Sequence, residues 1–193
     1  MRIEGKSSSS GNINELEIGS TGRASVDAVA ISQRLHSAHH GDAYWIHSHY
    51  VSLTTTGSFS GIMYLKNTHS ENNIHLSTVR TCCSEIGAFK WQAIKNPTAG
   101  TLITGGTSVT PVNSNFTSNR DMTATAIKGA DGLDITDGEM MGTWTDGGPG
   151  HSVSEIDGTI ILGPGDSIAI ECQPSVATDV CTTWQVWVEG PHV

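Results

Sequence analysis

The stretch GTIILGPGDSIAIECQPSVATDVCTTWQVWVEG, Gly158–Gly190, decides how this chain is read. Thr159–Leu162 is a short apolar run closed by Gly-Pro-Gly-Asp, where proline presets φ and the glycines tolerate positive φ, so the backbone can reverse within a few residues. Ser167–Cys172 then alternates, with Ile168, Ile170 and Cys172 on one face and Ser167, Ala169 and Glu171 on the other, the period of a half-buried strand. Cys181–Glu189 repeats the pattern, setting Trp184, Val186 and Val188 against Gln185, Trp187 and Glu189. Together these are three consecutive strands, a C-terminal meander whose apolar face needs a partner sheet.

Working outward, Asp146–Gly150 (DGGPG) is a turn, and Ser152–Ile156 leads into the meander. Ala88–Ile94 alternates Phe89, Trp91 and Ala93 with Lys90, Gln92 and Ile94 and stops at Asn96-Pro97. Gly61–Lys66 and Ile74–Arg80 flank the polar cluster Asn67–Asn73, and a hairpin pairing of these two runs is expected. Ala43–Leu53 is rich in aromatic and β-branched residues and reads as a strand. Arg23–Leu35 fits either period and is read as a strand. Between Thr98 and Gly150 long loops join short candidates at Thr101–Thr104, Val109–Val112, Met122–Ile127 and Met140–Trp144. About eight to ten irregularly spaced strands with long crossovers predict an all-β chain, an antiparallel β-sandwich of jelly-roll type, as a single domain over 23–193. Residues 1–22, with a serine run and few apolar side chains, form an N-terminal arm. It is either a frayed terminus or a segment whose Leu16–Ile18 adds to a neighbouring subunit.

Composition narrows the function. The 193 residues include 22 glycines, and charged residues are only 15 %, the balance of a turn-rich β protein with little helix. A formal charge of −9, with no Lys/Arg cluster, disfavours binding to a phosphate backbone, so no nucleic-acid partner is expected. No run reaches the roughly 20 apolar residues of a membrane span, and residues 1–22 lack the apolar core of a secretory signal, so a soluble product of a cytoplasm is expected.

Four cysteines, Cys82, Cys83, Cys172 and Cys181, lack both CxxC spacing and the density of a disulfide scaffold. Cys82 and Cys83 are neighbours on a strand and so face opposite sides of a sheet. Cys172 and Cys181 flank the last loop, where a cross-strand approach is possible, but free buried thiols are expected of a cytoplasmic product. Histidines are the best candidates for chemistry, since His36, His39, His40, His47 and His49 fall close together. On a strand His47 and His49 would share a face and could ligate one metal ion, and Gly41 stands six residues before His47 as in the first cupin motif. Leu53 and Thr54 occupy the positions where a cupin places a carboxylate, and Ile168–Cys172 holds no third histidine. The pair therefore reads as surface histidines, with a metal on an oligomer axis as the alternative. Asp131, Asp134, Asp137 and Glu139 lack EF-hand spacing and read as a solvated loop. There is no Gly-x-Ser-x-Gly elbow, phosphate-binding loop or HExxH, so no catalytic, cofactor or metal residue is assigned.

The polar arm, the strand phrases around GIMYLKNTHSENNIHL (Gly61–Leu76), the asparagine-rich PVNSNFTSN (Pro111–Asn119) and the closing ILGPGDSIAIEC…WQVWVEG resemble auxiliary virion proteins of tailed bacteriophages. These are head decoration and cement proteins and related jelly-roll fibre domains. The resemblance implies a non-enzymatic homotrimer made in a host cytoplasm and carried on the capsid surface, with a major capsid protein or another virion protein as partner. Only the arm maps on to such a role, and no single residue carries over. Two other classes stand beside it: a receptor- or glycan-binding tip using aromatics such as Trp144 or Trp187 on long loops, and a cupin-like metal protein.

Overall fold

A computed structural model of the chain describes residues 4–6, 13–15 and 33–189. The chain divides into two units, Met1–Ser32 and Gln33–Val193. In the first, β1 (Glu4–Lys6) pairs antiparallel with β2 (Ile13–Glu15). Leu16–Ile18 and residues 23–32 of the ambiguous segment lie outside the described residues.

The second unit opens with helix α1 (Gln33–His40), so the last three residues of the segment read as a strand are helical instead. The stop signal was in the sequence. Gly41, at φ 76°, is the left-handed residue that ends the helix, with the Gly41 N–H donated to the Ala38 carbonyl and the Asp42 N–H to that of Ser37. Strands β3 (Ala43–His47) and β4 (Val51–Leu53) follow, one strand in the sequence reading but broken here at His49, which takes φ 56°. Next come β5 (Ser60–Asn67), β6 (Asn73–Cys83) and β7 (Phe89–Lys95). The weak middle supplies helix α2 (Thr101–Gly105) where a strand was expected, then β8 (Thr107–Ser108), β9 (Val112–Asn113) and β10 (Ala124–Lys128). The chain closes with β11 (Glu139–Asp146), β12 (Gly150–Leu162), β13 (Ser167–Pro174) and β14 (Thr178–Glu189).

These strands form two packed antiparallel sheets, an all-β sandwich as the alternation predicts. The order in one is β12-β6-β14-β3-β9, with β4 also on β14, and in the other β11-β7-β13-β5-β10-β8. Here the expected meander is corrected. β12, β13 and β14 are consecutive but do not pair with one another: β13 pairs with β5 and β7, while β14 pairs with β6, β3 and β4. The Gly-Pro-Gly-Asp turn therefore arches from one sheet to the other. The same correction applies to Gly61–Lys66 and Ile74–Arg80, whose strands β5 and β6 lie in opposite sheets. Period two reports which side chains share a face, and it is silent on which strand lies alongside.

Between the sheets, Tyr44, Ile46, Ile62, Leu65, Leu76, Phe89, Trp91, Ile168, Ile170, Cys172, Trp184, Val186 and Val188 form one buried core. A second, smaller cluster sits on the outer face of the β13 sheet, where Tyr64, Leu102, Ile127 and Ala169 are covered by Leu133 and Ile135. Close backbone approach makes this cover possible: a Cβ on Gly129 would overlap the Gly61 carbonyl. As a result both faces of β13 are buried, and Glu171, on the face read as polar, is only 2 % exposed.

The cysteines pair differently from the expectation of free thiols. Cys82 and Cys181, direct partners across β6 and β14 with Cα atoms 5.2 Å apart, form a disulfide, whereas Cys83 and Cys172 are free and buried. Cys82 and Cys83 do face opposite sides of their sheet. Cys172 joins the core from the other sheet, away from the loop it was expected to flank jointly with Cys181.

Two outcomes follow from this packing. Ile170, 1 % exposed, is held on all sides, so Ile170→Ala should cost about 2–5 kcal/mol, read as a lowered thermal midpoint; an unchanged midpoint contradicts the core assignment. Alkylation of the oxidised, denatured protein should label Cys83 and Cys172 alone, and labelling of Cys82 or Cys181 contradicts the pairing.

Candidate functional site

The histidines come together in pairs. The His36 and His40 rings, one helical turn apart on α1, have centroids 4.4 Å apart. His47 and His49 meet edge to face at 5.0 Å, although the backbone break puts His49 off the strand. His47 Nδ1 lies 2.7 Å from Thr183 Oγ1, and burial, then the neighbouring His49, push its pKa down. The break itself is stitched by Ser48, whose N–H donates to the Thr182 carbonyl and whose hydroxyl accepts from the Thr182 N–H. Elsewhere His75 lies under the Trp187 ring at 3.7 Å, with its Nε2 2.9 Å from Glu189. Among the described residues no three His, Cys, Asp or Glu side chains gather where they could hold a metal ion.

The acidic loop read as solvated has a structural task. Asp131 accepts the N–H and hydroxyl of both Thr54 and Thr55, Asp134 those of Thr101, and Asp137 those of Thr98 with the Ala99 N–H. Each carboxyl is held below its usual range, first by the threonine hydroxyl. These three clasps fasten the 129–138 segment over the outer face of the β13 sheet. Underneath, Glu171 accepts from Gln92 Nε2 and from the Ile135 N–H, and burial, the leading cause, raises its pKa. Sequence reasoning missed this residue because its strand was taken to have a bare outer face.

Two surface features stand out among the described residues. The first is the loop after β9, where Phe116 is 98 % exposed. Asn113 Oδ1 accepts the Asn115 N–H, Asn115 Oδ1 accepts the Thr117 N–H and hydroxyl, and the Ser118 N–H donates to the Asn115 carbonyl. Asn113 Nδ2 ties the loop to the Gly41 and Arg120 carbonyls, and Arg120 grips Asp42 through both carboxylate oxygens. The asparagine-rich stretch is thus a braced mount for one phenyl ring. The second feature is the opposite flank, where the edge strands β11 and β12 leave a cleft of about 200 Å³ lined by Met141, Ile160, Ile161, Leu162, Ile168 and Lys95. Ile161 is 51 % exposed and Met141 44 %.

The aromatics proposed for a loop-borne glycan site lie elsewhere. Trp187 is on β14 and only 7 % exposed, and Trp144 is on β11, stacked over Trp91 at 6.3 Å. No protein-family model and no curated protein matches the chain. Among the described residues no helix is long and apolar enough to cross a membrane.

The carboxyls set opposing pH dependences. Glu171, with its pKa raised above the ordinary 4.5, contributes most to stability below that value, and the contribution is lost as pH rises through the folded-state pKa. The aspartates, held below the ordinary 3.8, contribute above it and lose their contribution as pH falls through their folded-state values. Glu171→Gln should therefore flatten the decline of the thermal midpoint on the alkaline side of pH 4.5 and leave the acid limb in place. An unchanged profile would show that Glu171 is not the group responsible.

Proposed function

We propose that this chain is a non-enzymatic structural subunit of a virus particle, a jelly roll that decorates or cements a phage capsid as a homotrimer. The observation that carries the reading is strand order. Taking the eight principal strands in sequence, from β3 and β5 to β7 and then β11 to β14, the chain passes repeatedly between sheets. It lays β12-β6-β14-β3 over β11-β7-β13-β5. This order supports a double-sheet jelly roll, an architecture used by capsid proteins, lectins and cupins. Among those uses, the cupin one is the least supported, because His47 sits opposite in alternation to the core residues Tyr44 and Ile46. The partner is a capsid or other virion protein, the place of action the capsid surface, and the N-terminal arm the attachment. A lattice contact through one short arm is weak, and three arms on one body raise the local concentration enough to hold it.

A receptor- or glycan-binding tip is the second reading, and Phe116 on its braced mount favours it over the tryptophans. Binding of the purified protein to a glycan array, lost in Phe116→Ala, would support that role. For the first reading the test is removal of residues 1–22. The truncated protein should keep its thermal midpoint and lose binding to capsids; undiminished binding overturns the arm's role, and absence of the protein from intact particles overturns the virion assignment.

A further inference from the structure

We propose that Cys82–Cys181 is a thiol–disulfide exchange site, opened by small-molecule thiols and closed by small-molecule disulfides on the folded protein, a redox-set clasp between β6 and β14. The inference stands apart from the virion reading. Its ground is the unlike placing of the four cysteines. Cys83 and Cys172 belong to the core, 5 % and 0 % exposed, and burial, the leading cause, pushes both thiols up. Thiols that are covered and held protonated are inert in exchange. Cys82 and Cys181 lie instead on the outer face of their sheet, both half-buried and so partly open to solvent.

The surroundings of the pair are rich in basic groups, in a chain of formal charge −9. His151 of β12, an exposed residue, is the direct cross-strand partner of Cys82. Arg80, two residues before Cys82 on the same face, sets its guanidinium 5.6 Å from the Trp45 ring. On the far side of β14, β3 ends with His47 opposite Thr183 and β4 resumes with Val51 opposite Val180, so the break that carries His49 runs beside Cys181. Asp179, two residues before Cys181, is the nearest carboxylate along β14 and accepts the Ser52 hydroxyl. Basic groups beside a cysteine favour its thiolate, the form that attacks and leaves in exchange. A small thiolate attacks one sulfur of the pair, forming a mixed disulfide and expelling the other cysteine as a thiolate. A second small thiolate then lifts off the first as a small-molecule disulfide. Two electrons pass to the protein, solvent supplies two protons, and the reverse sequence, with a small-molecule disulfide as oxidant, closes the bond. The fold does not hang on this bond. β6 and β14 pair from Cys83–Val180 to Asn73–Glu189, and their inner faces bury Leu76, Val79, Trp184 and Val186. Opening the clasp removes a link between residues 99 apart in sequence, so it acts chiefly by freeing the unfolded chain.

To test this, the full chain is incubated with reduced glutathione in the absence of denaturant, quenched with acid, alkylated and read by mass spectrometry. Cys82 and Cys181 should take the label while Cys83 and Cys172 stay unlabelled, and oxidised glutathione should restore the bond once the thiol is removed. Circular dichroism should be the same in both forms, with the thermal midpoint of the open form lower by about 5–15 °C. A double variant, Cys82→Ser with Cys181→Ser, should keep the fold and match the reduced wild type in midpoint. A bond that opens only in denaturant, or that oxidised glutathione cannot restore, overturns the exchange site. Loss of the folded signal on reduction or in the double variant also overturns it, since the bond would then be a requirement of the fold. Equal midpoints for the open and closed forms overturn its action as a clasp.

Discussion

The sandwich depends on β13 and β14 facing each other across its core. Three residues separate them in sequence, yet each is a central strand of a different sheet, bonded to neighbours on both sides. Ile168, Ile170 and Cys172 come from one, and Val180, Trp184, Val186 and Val188 from the other, all fully or nearly buried. Burial of each such side chain is worth about 1.5–3 kcal/mol before ordering costs, so this pair anchors the other strands. The Cys82–Cys181 disulfide then fixes β14 to β6 on the outer side of the same sheet.

Much of this was legible in the sequence, and the misreadings share one cause. The strands over 88–94, 167–172 and 181–189 and the scarcity of helix follow from alternation and turn chemistry. Partnership did not, because a short turn serves a hairpin and an arch between sheets equally well. That single ambiguity turned a crossing into a meander, paired β5 with β6, and hid the alignment of Cys82 with Cys181 behind an expectation of free thiols. Glu171 was misjudged for a related reason. The cover over its face comes from α2 and the 129–138 segment, where the local signals are weakest and the structure is set by Asp–Thr hydrogen bonds between distant residues.

The candidate site was legible in part. The PVNSNFTSN stretch was visible as unusual, but its meaning depends on Asn113 and Asn115 bonding back to the Gly41 and His39 carbonyls, contacts more than 70 residues away in sequence. The cleft could not be read at all, since it is formed by the ends of two sheets whose order was unknown. The histidine pair showed the reverse. His47 and His49 do approach each other, and the structure adds no third ligand from the described residues. The surface features that stand out among the described residues are the exposed Phe116 on its asparagine-bonded loop and the cleft at the β11–β12 edges.

A cryo-electron microscopy map of the purified oligomer in solution is the most direct measurement of how these surfaces are used. Three sandwiches around a three-fold axis are predicted. A two-fold dimer, or single sandwiches, would contradict it.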